Sequence, residues 1–160
     1  TVNVAAPTVD DYARFFDKTC RHYEENMNYR CADATLVGIS KVFGYRLLFK
    51  GSGSGYYSTI EKEEGSYVPV VIWEISTEDE KHLDFYEGFP THYQKKNLMI
   101  EVKGKKRWAM VYIMDEKRKL GHPKSYYYGL LDKAYDRFGF DKKILRKALA
   151  DSKPEAIESV

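Results

Sequence analysis

The residue that best combines reactive chemistry with a structured setting is Glu87, at the end of a predicted short helix. The pattern STEDE at 76–80 indicates a helix start, and Gly88 and Pro90 indicate its end. Glu87 therefore precedes a Gly-x-Pro turn that could face a cavity. A free glutamate has a pKa of about 4.3, so it becomes an efficient base at pH 7 only if burial raises that pKa. Apolar walls could come from Phe85, Tyr86 and Phe89, although a solvated helix end is the usual outcome for such a residue.

Other reactive residue types lack a pattern typical of catalysis or metal binding. The four histidines are scattered without the spacing of metal ligands: His22, His82, His92 and His122. Two cysteines, Cys20 and Cys31, are too few for a disulfide framework, so we expect free thiols. A nucleophilic pair of Cys20 and His22 is disfavoured, because residues two apart on a helix point to different sides. We expect no metal and no cofactor.

Composition narrows the class of protein further. The chain has 160 residues, is 43% hydrophobic and 31% charged, and carries a net charge of only +2, from 26 basic and 24 acidic residues. These values are typical of a globular domain and lack the basic excess of a nucleic-acid binder. No apolar run is long enough to span a membrane, and no signal peptide opens the sequence. We expect a cytoplasmic protein with one domain over residues 1–150 and a frayed tail at 151–160.

Hydrophobic spacing predicts the elements around Glu87. Residues 1–5 alternate like a short strand, and an apolar stripe at three- and four-residue steps predicts a long helix from Val9 to Met27. Short β-type runs follow at 35–40, 45–49, 56–60 and 68–75. The glycine-serine run at 50–55 is compatible with a domain linker or a mobile loop, and we favour the loop. It is not a phosphate loop, because no Lys-Ser or Lys-Thr pair follows it into a helix.

Beyond Glu87 the sequence predicts a hairpin and a helical region. Two strands at 93–102 and 107–114 are joined by a turn at 103–105, and residues 124–149 read as helix interrupted at 139–140, with Asp141 as a cap. Lysine-rich stretches beside Trp108 could form a basic aromatic face for nucleic acid, but hairpin turns and solvated faces explain them more simply.

Taken in order, several short motifs resemble the gamma-glutamylcyclotransferase (AIG2-like) family. They include GYRL at 44–47, YSTI at 57–60, WEI at 73–75 and, most specifically, LDFYEGFP at 83–90 followed by Tyr93, which is similar to the family's LDxYEGxPxxY signature. The resemblance covers about residues 30 to 149. It implies an α+β fold, a small mixed β-barrel flanked by helices, to which this chain would add the long N-terminal helix.

The resemblance also implies a reaction and a set of site residues. Enzymes of this family let the substrate's α-amine attack its own γ-glutamyl carbonyl, which releases an amine and 5-oxoproline. Glu87 matches the catalytic glutamate, which would take a proton from the attacking ammonium and return one to the leaving nitrogen. Tyr127 matches a tyrosine of the substrate pocket, and Tyr86 and Tyr45 are further candidates for substrate binding. The tyrosine run at 126–128 leaves the register of Tyr127 open.

One part of the family pattern is absent from this sequence. The family holds its substrate on a YGSN-type loop between the first strand and the first helix, where free backbone N–H groups favour negative charge. Counted back without a gap, that position falls at 18–21, inside the predicted helix. Alternatively, residues 1–5 are the first strand and the loop lies at 6–8, where Asp10 and Asp11 would repel a substrate carboxylate.

Two functions therefore remain open. The first is a lyase of the gamma-glutamylcyclotransferase type, acting on a small γ-glutamyl amine or peptide. The second is a catalytically degenerate interaction module that uses the N-terminal helix to bind a protein partner. A pocket at a helix start facing Glu87 would favour the enzyme, whereas a pocket filled by Phe15, Phe16 or Tyr23 would favour the module.

Overall fold

The computed structural model of the protein describes residues 2–6 and 34–154. These residues form six strands and three helices, which are β1 (Val2–Ala6), β2 (Thr35–Ser52), β3 (Gly55–Ile75), α1 (Thr77–Glu87), β4 (Tyr93–Val102), β5 (Lys105–Met114), β6 (Lys119–Leu120), α2 (Ser125–Phe138) and α3 (Lys142–Asp151). The predicted strand at 1–5 is confirmed as β1. The predicted helix from Val9 to Met27 lies outside the described residues.

All six strands belong to one mixed sheet in the order β4-β5-β1-β3-β2-β6. Strands β1 and β5 are parallel, and every other neighbouring pair is antiparallel. The sheet curls into a half-barrel, so that the β4 edge returns towards the first half of β2, where the Ser40 hydroxyl donates to the Glu101 carbonyl. The predicted mixed β-architecture is confirmed, as a half-barrel with three described helices.

The two long strands β2 and β3 correct the prediction of four short ones. They pair from Thr35 with Glu74 to Ser52 with Gly55, and the register shifts between Phe43 and Tyr45, where Gly44 has a φ of 80°. A bulge with a left-handed glycine bends a strand without ending it, so the sequence shows a break that the backbone does not have. The glycine-serine run at 50–55 joins these strands as a tight hairpin of the same sheet.

The predicted hairpin and the interrupted helix are confirmed. Lys103 and Gly104 both have positive φ between β4 and β5, as a two-residue hairpin turn requires. Helix α2 ends at Gly139, whose φ is 67°, and α3 begins after Asp141, whose carboxylate accepts from the Lys143 amide at 2.9 Å. Asp151 still belongs to α3, so the frayed tail does not begin there, and residues 155–160 lie outside the described part.

The core fills the concave side of the sheet and is closed by α2 and α3. Helix α2 buries one side at three- and four-residue steps, through Tyr127, Leu131, Ala134 and Tyr135. Strand residues that alternate inward meet this face, among them Phe49, Ile60, Val70, Ile72 and Val111. Because α2 packs here, the hydroxyl of Tyr127 is carried to β3, where the candidate site lies.

Candidate active site

Glu87 is the last residue of α1, and the ends of that helix are fixed by local contacts. Ser76 caps the start, its hydroxyl accepting from the Asp79 amide at 3.1 Å. At the other end Gly88 adopts a left-handed conformation with a φ of 66°, and its N–H donates to the Phe85 carbonyl at 3.2 Å. Glu87 is thereby turned inward and is only 5% exposed. The structure places this carboxylate in the interior rather than at a solvated helix end.

The apolar walls expected around Glu87 are only partly as predicted. Phe85 is 90% exposed, so it points to solvent and does not enclose the carboxylate. Phe89 is partly exposed, with the Lys95 ammonium 4.5 Å from its ring centre. The side chain of Tyr86 lies outside the described part of the chain. The prediction for Phe85 is wrong because the helix turns that position outward when it turns Glu87 inward.

Tyr112 of β5 lies within the electrostatic range of Glu87. Its hydroxyl donates to the Asp84 carboxylate at 2.6 Å. Burial, then this hydrogen bond, and then the charges of Asp84, Glu87 and Glu80 raise the pKa of Tyr112 far above the usual value for tyrosine. The phenol therefore stays protonated at neutral pH and remains a hydrogen-bond donor beside two carboxylates.

A second group of hydroxyls gathers on Ser58 of β3. The Tyr127 oxygen accepts from the Ser58 amide at 3.1 Å and lies 3.0 Å from the Ser58 hydroxyl. Tyr93 donates to the Ser58 carbonyl at 3.1 Å. All three residues are buried, and the edge of the Tyr57 ring packs on Tyr127 with a centroid distance of 5.2 Å. Strands β3 and β4 and helix α2 thus each contribute one hydroxyl to a single cluster.

Strand β5 has contacts with the elements of both groups, through Tyr112 to Asp84 of α1 and through Met114 to Thr59 of β3. The parallel pairing of Val4 with Met110 places Ala6, two residues further on, at the level of Tyr112. Strand β5 then reaches β3, where the Met114 amide donates to the Thr59 hydroxyl at 3.0 Å. The carboxyl ends of adjacent parallel strands are a common location for ligand sites in open sheets. We call Ser58, Glu87, Tyr93, Tyr112 and Tyr127 the Glu87 site.

This topology bears on the position of the family's substrate loop. Strand β1 lies between β3 and β5, which is a central place in the sheet. Strand β1 ends at Ala6, and residues 7–33 lie outside the described part of the chain. Both alternatives for the position of the loop therefore stay predictions. Positions 18–21 lie outside the described residues.

Tyr45 is not brought into the Glu87 site. Its ring is buried, with the Lys96 ammonium 5.4 Å from the ring centre. It lines a cavity of about 560 Å³ between β2 and β4, which we call the β2–β4 cavity. Its lining residues are Ser40, Lys41, Val42, Phe43, Tyr45, Leu98, Met99, Ile100, Glu101, Gly104 and Lys106. Neither Glu87 nor Tyr127 is among these residues.

Sequence reasoning missed three members of the Glu87 site, although each lay in or beside a motif already noted. Ser58 is in YSTI, Tyr93 follows the LDFYEGFP signature, and Tyr112 ends the second strand of the hairpin. Strand pairing was the missing information, because it is the register of β4 with β5 that sets Tyr112 opposite Lys95. The motifs alone could not have identified their contacts.

Two further findings limit what else this part of the protein holds. No three His, Cys, Asp or Glu side chains among residues 2–6 and 34–154 are grouped so that they could hold a metal ion. No helix in the described ranges is long and apolar enough to cross a membrane.

Comparison with known proteins gives a consistent result. A family model described as "Gamma-glutamyl cyclotransferase, AIG2-like" matches residues 18–133. Among solved structures, one called gamma-glutamyl cyclotransferase superimposes with a TM-score of 0.72 at 17% identity, covering 99% of this chain and 92% of the other. An uncharacterized protein from Homo sapiens gives a TM-score of 0.73 with the same identity and coverage.

A third solved structure has a longer chain. YkqA from Bacillus subtilis gives a TM-score of 0.73 at 17% identity, covering 97% of this chain and 56% of YkqA. At these identities the solved structures support the fold alone. Among curated proteins, no sequence matches this chain.

Proposed function

Because this chain belongs to the gamma-glutamyl cyclotransferase, AIG2-like family, we propose that it is a lyase that cyclises a small γ-glutamyl amine or peptide. The products would be 5-oxoproline and the free amine. The observations that support this most are the buried carboxylate of Glu87, whose charge acts on the Tyr112 phenol, and the buried hydroxyl cluster on Ser58. As a cytoplasmic enzyme it would need no cofactor, since the substrate supplies its own nucleophile.

The reaction balances with one carboxylate acting twice. Glu87 takes a proton from the substrate's α-ammonium, and the resulting amine attacks the γ-carbonyl carbon to form the lactam C–N bond. The original amide C–N bond then breaks, and Glu87 returns this proton to the leaving nitrogen. The second proton lost by the attacking nitrogen follows the same route, so that the ring nitrogen ends as a lactam N–H and the amine leaves as its ammonium. No water is consumed. A buried position suits this role, because desolvation raises the pKa of a carboxylate towards neutral pH, where the group can both accept and return a proton.

The hydroxyls are proposed to orient the substrate around Glu87. Tyr127 already shares the Ser58 hydroxyl and amide, so its oxygen is held in one place and can offer a hydrogen bond to the reacting group. Tyr112 stays protonated and already donates its one O–H to Asp84, so towards the substrate its oxygen can accept a hydrogen bond, for example from the α-ammonium. A preorganised donor such as the Tyr127 hydroxyl stabilises developing negative charge at a carbonyl oxygen.

The test is a coupled assay for 5-oxoproline released from a panel of γ-glutamyl amines and peptides. We expect wild type to turn over at least one of them and Glu87→Gln to lose roughly 100-fold or more in turnover, as general acid/base catalysis contributes. The matched control is Glu78→Gln, which removes an exposed carboxylate of the same helix and should leave turnover unchanged.

A specific observation keeps the alternative of an interaction module open. The sequence lacks the YGSN-type tetrapeptide, and Asp10 and Asp11 follow closely after β1. If folded wild type releases no 5-oxoproline from any member of the panel, the lyase is excluded for those substrates. The degenerate module, with a partner bound by the N-terminal segment, then becomes the better explanation.

A further inference from the structure

Lys95 of β4 joins the sheet to the helix that carries Glu87. Its ammonium lies 2.6 Å from one oxygen of Asp84 and 3.1 Å from Glu80, two acceptors one turn apart on α1. The Lys95 side chain is 22% exposed, so these ion pairs are partly shielded from solvent. Lys95 therefore neutralises carboxylates on the same helix as Glu87.

Asp84 connects Lys95 to Tyr112. Its carboxylate accepts a hydrogen bond from the Lys95 ammonium and another, at 2.6 Å, from the Tyr112 hydroxyl. Tyr112 in turn lies within range of the charge of Glu87. Hydrogen bonds thus connect the Lys95 ammonium to Asp84 and Asp84 to Tyr112, and Asp84 lies three residues before Glu87 on α1, the spacing at which helical side chains are neighbours.

We propose that Lys95 is a positioning residue that, with Asp84, controls the protonation of Glu87. This inference rests on the proposed function only in so far as Glu87 is the acid/base of the reaction. Lys95 does not touch the reacting atoms. It acts by balancing the charge of Asp84 and by holding the Tyr112 phenol in place.

The charges around Glu87 explain why this balance matters. Helix α1 itself carries the acidic residues Glu78, Asp79, Glu80 and Asp84 and the ionisable residues Lys81 and His82. Strand β4 contributes Lys95 and Tyr93, and β5 contributes Tyr112. Ser58 of β3 and Tyr127 of α2 are neutral. His92, in the turn before β4, is hydrogen-bonded to Arg118. With Lys95 removed, the negative charges on α1 would disfavour ionised Glu87, because like charges oppose each other.

Lys95 itself remains charged in this setting. Burial opposes its charge, but the hydrogen bonds and charges of Asp84 and Glu80 outweigh burial and raise the pKa of Lys95 above its usual value. The balance with Asp84 is therefore present throughout the neutral range.

The experiment follows the titration of the Glu87 carboxyl carbon by ¹³C NMR, with its signal assigned by its loss in Glu87→Gln. In Lys95→Met we expect the titration to move to higher pH by about one unit, the size of one partly shielded charge. In Asp84→Asn we expect a shift to lower pH. The double variant removes one charge of each sign and should titrate close to wild type, as should the control Lys95→Arg.

A merely structural role for Lys95 predicts a different result. All three variants would then lose stability, and Glu87 would show no opposite shifts and no compensation in the double variant. That result would overturn the proposal, as would an unchanged titration in a folded Lys95→Met. If Lys95→Met does not fold, the direction of the shift in Asp84→Asn decides instead.

The titration also separates this proposal from the proposed function, because it needs no turnover. Opposite shifts in a protein that releases no 5-oxoproline would support the role of Lys95 and contradict the lyase. In an active protein, we expect the acid limb of the pH dependence of kcat/KM to move with the NMR titration in each variant. An acid limb that stays in place while the titration moves would instead show that Glu87 is not the acid/base.

Discussion

The Glu87 site and the β2–β4 cavity differ in what they offer a ligand. The cavity is large, about 560 Å³, and its rim carries exposed apolar side chains such as Phe43 and Met99. The Glu87 site instead brings a buried carboxylate together with hydroxyls from β3, β4, β5 and α2. Tyr45 belongs to the first region and Tyr127 to the second.

The convergence of buried polar groups, rather than open volume, is the reason why we propose the Glu87 site as the active site. Burying a carboxylate or a hydroxyl costs free energy unless it is hydrogen-bonded, so a protein rarely gathers several without a use for them. The β2–β4 cavity needs no functional explanation, because a curled sheet whose edges do not fully close leaves space between them.

The largest effect that would sharpen this comparison is expected from Gly88→Ala. Gly88 has a φ of 66°, and an added Cβ would lie 2.9 Å from the Cβ of His92. The helix end must shift to relieve this contact, which would misplace Glu87. We expect turnover to fall by roughly 100-fold, the cost of a displacement of about 1 Å in an active site. Steady-state release of 5-oxoproline measures it.

The matched control lies in the other region. Gly104 lines the β2–β4 cavity and also has a positive φ, of 75°, but an added Cβ would meet no atom within 4 Å. Gly104→Ala should lose about 1 to 2 kcal/mol of the free energy of unfolding from backbone strain alone, with turnover close to wild type. Equal losses of turnover in both variants would mean that general destabilisation, not the position of Glu87, is being measured.

A smaller effect is expected when single hydroxyls are removed from the two regions. Tyr127→Phe deletes the oxygen that is shared with the Ser58 amide and hydroxyl, and we expect turnover to fall by about tenfold, as for one buried hydrogen bond. Tyr45→Phe, in the β2–β4 cavity, should leave turnover close to wild type. The comparison breaks if Tyr45→Phe is the more damaging variant, because the substrate would then bind in the larger cavity.

Much of the local structure around the site was predictable from short sequence patterns. The cap at Ser76 and the left-handed end at Gly88 define α1, and the turn at 103–104 defines the hairpin of β4 with β5. These features depend on residues close together in sequence, so their chemistry can be recognised without a structure. The motif with Glu87 lies among them, and the similarity of this motif to the family signature makes Glu87 a candidate, whereas its burial is known only from the structure.

The remainder of the site could not be predicted because it depends on contacts between distant strands. Ser58 meets Tyr93 and Tyr127 only after β3, β4 and α2 have packed, and Tyr112 meets Asp84 across two elements. A shift of one residue in a strand register would turn each of these side chains to the opposite face. The bulge at Gly44 hid the length of β2 for a similar reason, since a local break in pattern imitates a strand end.

The smallest expected effect concerns stability at the border of the Glu87 site. Burial, and then the charge of Arg118, lower the pKa of His92 below its usual value. Between that lowered pKa and about 6.5, the unfolded chain binds more protons than the folded protein, so stability falls as the pH falls through this window. In His92→Asn this part of the pH dependence disappears, and in Arg118→Met it becomes smaller.

Urea unfolding at about pH 7.5 and about pH 5.5 measures this, with the difference between the two free energies compared across the variants. Other groups titrate in the same range, but they are common to all three proteins and cancel in the comparison. A difference that is identical in wild type and His92→Asn would mean that His92 is as free to take up a proton as in an unfolded chain. The border of the site would then be as open to water as the rim of the β2–β4 cavity, which would weaken the contrast between the two regions.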